Sequence, residues 1–382
     1  MSRDVSNRKL RAGIVGGGQG SFIGAVHRVA VELDGQAEVV AGAMSSDAAR
    51  AEASARAWYL ERSYSSFEQM AQAEASRPDG IDFVMITTPN HLHFPVAKAF
   101  LEQGIHVVSD KPMTLTLQEA QDLVKIVEQS RLVYALTHTY TGYPAVRQAR
   151  HMVQSGALGE IRKVLVEYVQ GWLAEPAERA GNKQASWRTD PRRSGLAGCV
   201  GDIGTHAANL LEYISDLKIA SLCADLTTFV EGRQLDDDAN MLLRLENGAK
   251  GLLTCSQVAA GEENNLNIRI YGTKAGLEWH QMEPNTLLFK PLDQPQQILR
   301  TGQGYMSEEA RAATRTPPGH PEGYFEAFAN LYRLAIADIR RVESGEKPQG
   351  GYPTVYDGLR GMLFITRAVE SSRQGAAWVE LA

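Results

Sequence analysis

Short apolar runs alternate with amphipathic stretches through the first third of the chain. The runs at 10–15, 38–44, 81–87, 106–109 and 132–137 have the length and boundaries of buried strands. Between them, 25–33, 47–59, 94–103 and 117–129 read as helices. Strands and helices alternating at this spacing predict βαβ units on a parallel sheet.

The pattern changes after residue 138. The stretch 161–169 alternates as a strand does, and 241–245 and 251–255 flank Asn247-Gly248, a strong hairpin turn signal. Leu266, Ile268 and Ile270 alternate before a turn at 272–276. These positions predict antiparallel strands in a second, α+β domain. Helices are expected at 324–344 and 356–371, and loops rich in charge, Gly and Pro at 175–195 and 302–319. The resulting division is 1–137 and 138–382, with the last helix able to pack back towards the N-terminal domain.

Composition acts mainly by exclusion. With 382 residues, two domains are expected. A net charge of -6 argues against a nucleic-acid surface. Cys199, Cys223 and Cys255 are far apart, with no Cys-x-x-Cys pair, so no zinc site or disulfide framework is predicted. No apolar run approaches the ~18 residues that span a bilayer, and 1–11 lacks the apolar centre of a secretory signal. A cytoplasmic protein without membrane or nucleic-acid partners is the expectation.

The first strand runs into Gly16-Gly17-Gly18-Gln19-Gly20-Ser21-Phe22-Ile23-Gly24. Such a turn before a helix lets backbone approach a pyrophosphate and offers it free N–H groups. The strict G-x-G-x-x-G spacing is not met, so the loop is lengthened. Gly16, Gly18, Gln19, Gly20, Ser21, Phe22 and Ile23 are the cofactor candidates of this turn, for NAD or NADP. Ser45 stands where an acid usually bonds the adenosine ribose; with Ser46 and Arg50 it leaves room for a 2′-phosphate. Asp47 is expected to cap the helix that follows, and Asn90 another.

Two further stretches carry candidate chemistry. Read as one helix, 202–214 has Ile203, Ala207, Leu210, Leu211 and Ile214 on an apolar face, with Asp202, His206, Asn209 and Tyr213 beside it. The i, i+4 spacing sets a carboxylate beside an imidazole, a group suited to removing a hydroxyl proton. The plainer alternative is that Asp202 only favours a helix N-terminus. Lys111 ends a strand before Pro112, where ligands bind in α/β sheets, or is a solvated surface lysine.

Taken together these motifs resemble the Gfo/Idh/MocA oxidoreductases, the glucose–fructose oxidoreductase and inositol dehydrogenase group. The residues are the glycine turn with Gly24-Ala25-Val26-His27-Arg28, then Thr87-Thr88-Pro89-Asn90-His91-Leu92-His93, Ser109-Asp110-Lys111-Pro112 and Gly201-Asp202-Ile203-Gly204-Thr205-His206. The resemblance implies an α/β Rossmann domain followed by a large, mostly antiparallel open sheet that packs in homodimers or homotetramers. It implies sugar, inositol or related substrates, catalytic roles for Lys111, Asp202 and His206, and a cofactor-side position for Thr88, Pro89, Asn90, His93 and Asp110. Asp110 replaces the family's usual Glu, and Ser45 its usual acid. Tyr140, Trp187, Arg188 and His320 are added as substrate candidates, because sugar sites mix hydrogen bonds with aromatic planes. His91 and His93 lack a third ligand, so no metal is expected. Relatives that cleave glycosides by transient oxidation, or that only sense sugar or cofactor, supply the alternatives.

Overall fold

The computed structural model describes residues 8–381; 1–7 and 382, including most of the polar stretch 1–11, lie outside the described residues. The chain forms two compact units, Met1–Thr139 with Tyr324–Leu359, and Tyr140–Gly323 with Arg360–Ala382.

The first unit holds a six-stranded sheet: β1 Leu10–Gly16, β2 Ala37–Ala43, β3 Arg62–Ser63, β4 Phe83–Thr87, β5 His106–Ser109 and β6 Tyr134–Leu136. The strand order is β3-β2-β1-β4-β5-β6, with every pair parallel. The order reverses between β1 and β4, where doubly wound sheets take their ligands. Sequence reading missed β3 and the helix Phe67–Ser76. A two-residue strand of Arg and Ser has no apolar run to betray it.

The helix after β1 spans Phe22–Glu32, starting earlier than the predicted 25 because the Ser21 hydroxyl accepts from Gly24 N and caps it. Asp47 caps Ala48–Ala57 as expected. Asn90 does not cap a helix: it opens a short 3₁₀ turn, Asn90–Leu92, and the helix His93–Leu101 follows without a side-chain cap.

The segment Tyr324–Leu359 groups with the first unit, although it lies far beyond the division at 137. The reason is the apolar stripe of the helix Tyr324–Glu343. Its Phe328 and Tyr332 rings meet the buried His27 ring edge-on at 5.1 and 5.8 Å, within one core that includes Leu331, Ala335 and Ile339.

The second unit holds nine strands: β7 Ile161–Val169, β8 Ile219–Thr227, β9 Asp238–Leu245, β10 Lys250–Ser256, β11 Asn265–Gly272, β12 Ala275–His280, β13 Thr286–Pro291, β14 Gln297–Arg300 and β15 Val379–Glu380. Their order is β14-β13-β12-β11-β7-β10-β9-β8-β15. Every pair is antiparallel except β7 with β10. In β9 Ala239, Met241, Leu243 and Leu245 are buried, while Asn240, Leu242 and Arg244 are exposed, the period-2 signature of a sheet with one buried face. The helices Pro144–Gln154 and Thr205–Ser215 pack on it.

The loops expected at 175–195 and 302–319 hold short helices, Lys183–Arg188, Pro191–Ser194 and Glu308–Ala312, capped by Asn182, Asp190 and Ser307. The predicted helix 202–214 is also modified. It starts as a π-helical turn, Val200–Gly204, and becomes α-helical only at Thr205–Ser215. The buried carboxylate of Asp236 accepts from Gly198 N at 2.7 Å, Val200 N at 2.9 Å and Cys199 Sγ at 3.1 Å, which anchors the entry to that turn.

Candidate active site

In the first unit the glycine turn is shaped by close contact. A Cβ on Gly24 would lie 2.3 Å from Gly17 Cα, so helix and turn pack at a distance only glycine permits. Gly20 has φ +80° and open space around its Cα. Gln19 and Gly20 are exposed, and Gly16, Gly18 and Ser21 half-buried. A helix N-terminus, glycines and an uncrowded approach fit a dinucleotide pyrophosphate. Gln19 N donates to Ser54 Oγ at 3.2 Å, Phe22 is exposed with its ring 6.4 Å from Tyr324, and Ile23 packs its side chain against the core. At the end of β2, Ser45 Oγ accepts from Asp47 N at 3.1 Å, Ser46 is exposed, and Arg50 reaches Asp47 at 3.8 Å.

The strand ends beyond β4 and β5 are braced to each other. His93, expected on the cofactor surface, is 1% exposed instead. Its ring nitrogens sit 2.6 Å from Pro112 O and 2.8 Å from Thr88 O, so it ties the Thr88-Pro89-Asn90 turn to the Lys111-Pro112 turn. Burial lowers its pKa, although Asp110 and the two carbonyls favour the charged form. Asn90 is buried, while Thr88 and Pro89 are half-buried. Asp110 Oδ1 accepts from Lys111 N at 2.9 Å and from Thr137 Oγ1 at 3.0 Å, which fixes the backbone on which the half-buried Lys111 sits. His138 is buried, and its pKa falls to about 3, mainly through burial, with the Lys111 charge adding to the effect. The His138 imidazole is therefore neutral.

In the second unit, the parallel pairing of β7 with β10, and the antiparallel pairing of β7 with β11, bring the segments after Val169, after Ser256 and before Asn265 to one end of the central strands. Here Tyr140 and Tyr168 join hydroxyls, Tyr168 donates to Asn264 Oδ1 at 2.7 Å, and Asn264 Nδ2 donates back to Tyr140 at 3.2 Å. This closed ring holds two aromatic planes against His206, with centroids at 4.9 Å for Tyr140 and 6.2 Å for Tyr168. Tyr140, expected to contact substrate, is 4% exposed and packs edge-on against His206. Burial raises its pKa.

Asp202 Oδ2 accepts from Gln257 Nε2 at 2.8 Å and from Arg188 Nε at 3.1 Å. The Arg188 guanidinium stacks 4.2 Å from the Trp187 ring centre and lies 5.9 Å from that of Trp172. Asp202, Arg188 and Trp187 thus form one partly exposed polar and aromatic cluster, and His206 stands one helical turn after Asp202. His320 does not join it. The ring is exposed, and its hydrogen bonds stay within 316–320, to Pro317 O and from Thr316 Oγ1. Glu322 holds that loop closed by accepting from Thr316 N at 2.7 Å, so the turn is complete without help from a distant ligand.

Sequence reading missed Trp172, Gln257, Asn264 and Tyr168. Each lies at a strand end whose neighbours depend on sheet order. Among the described residues no group of three His, Cys, Asp or Glu side chains could hold a metal ion, and no helix is long and apolar enough to cross a membrane.

Comparison with known proteins agrees with this geometry. Residues 10–138 match the oxidoreductase family with an NAD-binding Rossmann fold, and residues 146–278 match the GFO/IDH/MocA C-terminal domain. The chain belongs to the GFO/IDH/MocA family. An oxidoreductase from Sinorhizobium meliloti is 46% identical, with TM-score 0.87 over 97% of this chain and 99% of that one. An inositol dehydrogenase homolog from Azotobacter vinelandii, solved with NADH and myo-inositol, is 35% identical with TM-score 0.90 over 98% of both chains. Levoglucosan dehydrogenase of Pseudarthrobacter phenanthrenivorans is 27% identical over 98% of both. As a GFO/IDH/MocA member the chain is an NAD(P)-dependent oxidoreductase with a Rossmann domain and a mixed-sheet domain.

Proposed function

We propose that this GFO/IDH/MocA enzyme oxidises a secondary hydroxyl, or reduces the matching carbonyl, of a sugar, inositol or related polyol. The observation that carries the reading is that Asp202, held by Arg188 and Gln257, and His206, packed on Tyr140 and Tyr168, stand four residues apart among hydrogen-bonding and aromatic side chains of the kind polyols require. A nicotinamide cofactor, when bound, supplies hydride acceptance or donation at the reacting carbon. The protein's share is to hold the proton. His206 takes it from the substrate hydroxyl, the imidazole nitrogen acting as general base. Asp202, steadied by Arg188 and Gln257, partners that imidazole or accepts from a neighbouring hydroxyl. Lys111 steadies the oxygen as negative charge develops on it.

The glycine turn, the Thr88-Pro89-Asn90 turn and Asp110 serve the cofactor. Ser45, Ser46 and Arg50 present no carboxylate to a 2′-phosphate, which supports use of NADP as well as NAD. The relatives with inositol and levoglucosan in their names support a cyclic polyol.

The test is a matrix of NAD and NADP against inositols, pyranoses and anhydrosugars, followed by absorbance of the reduced nicotinamide. Turnover with at least one cyclic polyol is expected. No turnover with any of them, but release of aglycone from glycosides at constant cofactor absorbance, would replace this reading with elimination chemistry.

A further inference from the structure

The indole of Trp172 lies outside every motif of the chain, yet it is an exposed aromatic held in place beside Arg188, the ion-pair partner of Asp202. It is 37% exposed. Its flanking backbone is stitched at two points to the connection between β10 and β11, with Gly171 N donating to Glu262 O at 2.8 Å and Leu173 N donating to Gln257 O at 3.1 Å. Its Nε1 donates to Gln170 Oε1 at 2.9 Å. Gln170 Nε2 donates in turn to Asn264 Oδ1 at 2.6 Å, in the ring that packs against His206. From the other side Arg188, the ion-pair partner of Asp202, approaches the Trp172 ring face.

Two separate routes therefore tie one half-exposed indole to the two residues given the chemistry. Fixing a large apolar surface in water has no structural benefit of its own, whereas a rigid aromatic plane is what the C–H face of a sugar ring stacks on. Arg188 is the cation placed over this ring, and Asp202 compensates it, so the plane suits an uncharged ligand.

We propose that Trp172 is the specificity-determining platform of the substrate site. It takes the apolar face of an uncharged cyclic polyol and presents one ring hydroxyl to His206. An acyclic alditol has no preformed C–H face and pays rotor entropy to make one, so it gains less from the indole. The inference rests on the polyol reading above and adds a residue and a ring-shape preference to it.

The experiment compares wild type with Trp172→Ala and Trp172→Phe, using myo-inositol and D-glucose against sorbitol. Trp172→Ala is expected to raise KM for the cyclic substrates about tenfold at nearly constant kcat. It should also lower the cyclic-to-acyclic ratio of kcat/KM by about the same factor, and Trp172→Phe should restore part of both. A purely structural role would depress kcat for all substrates together, and an unchanged ratio in Trp172→Ala overturns the platform. Should wild type turn nothing over, calorimetric binding of the same cyclic polyols to the NAD-loaded protein decides separately. Binding that Trp172→Ala abolishes keeps the platform while removing the redox reading. Binding that Trp172→Ala leaves intact, or no binding at all, overturns the platform.

Discussion

The two units solve the same problem, holding polar groups ready for a ligand, by opposite means. In the first, the polar groups behind the ligand-facing turns are sealed in: His27, His93 and His138 are all buried, and burial pushes the pKa of His27 to about 4 and of His138 to about 3. In the second, Asp202 and His206 stay partly exposed, beside a lattice of side-chain hydrogen bonds through Asn264, Gln170 and Gln257. The first unit relies on desolvation and backbone contact, the second on mutual satisfaction of polar groups. The lesson is that rigidity in a parallel sheet comes from packing, while rigidity at the exposed end of a sheet's central strands must be built from side chains.

Acid should expose this contrast most strongly. His27 and His138 have folded pKa values well below the ordinary 6.5, so the unfolded chain binds more protons between those values. Their contribution to stability is complete above pH 6.5 and is lost as pH falls towards about 4 and about 3. The slope is about 1.4 kcal/mol per pH unit for each histidine while only the unfolded state titrates. Hydrogen exchange between pH 7 and pH 4.5 should show amides of β1, β4 and β5 losing protection ahead of those of β7 and β10. Equal loss in both sheets would dissolve the distinction.

Gly24→Ala probes the packing half of the comparison. The added methyl meets Gly17 Cα at 2.3 Å, so overpacking should cost about 1–3 kcal/mol. Chemical denaturation should show that loss, and NADH titration a weakened dissociation constant. An unchanged midpoint and affinity would mean that the turn yields freely.

Asn264→Leu probes the hydrogen-bonding half. It opens the ring with Tyr140 and Tyr168 while preserving bulk, and should cost about tenfold in kcat, near 1.4 kcal/mol, with NADH affinity unaltered. Steady-state kinetics beside a cofactor titration checks it. A fall in cofactor affinity instead would place Asn264 in the wrong half of the comparison.

The same contrast explains what could be read before the fold was seen. Parallel strands sealed on both faces leave continuous apolar runs, so β1, β2, β4, β5 and β6 were visible, as was the hairpin at Asn247-Gly248. Motif positions such as Lys111, Asp202 and His206 were visible through resemblance. The ring of Tyr140, Tyr168 and Asn264 was not, because its members are up to 124 positions apart and meet only through the order β11-β7-β10. The π-helical turn at Val200–Gly204 was hidden too, since it depends on the distant carboxylate of Asp236. The burial of Tyr140 and His93 is likewise hidden, because spacing says nothing of burial.

The central claim is that the His206 imidazole removes the substrate proton. It is tested most directly by measuring kcat/KM against pH for wild type and His206→Gln with the preferred polyol. The account predicts a wild-type rate that climbs with pH as the imidazole deprotonates. In the variant that limb should vanish and the rate should drop 10²–10⁴-fold, with NADH binding preserved. A variant that keeps both the limb and the rate would contradict it.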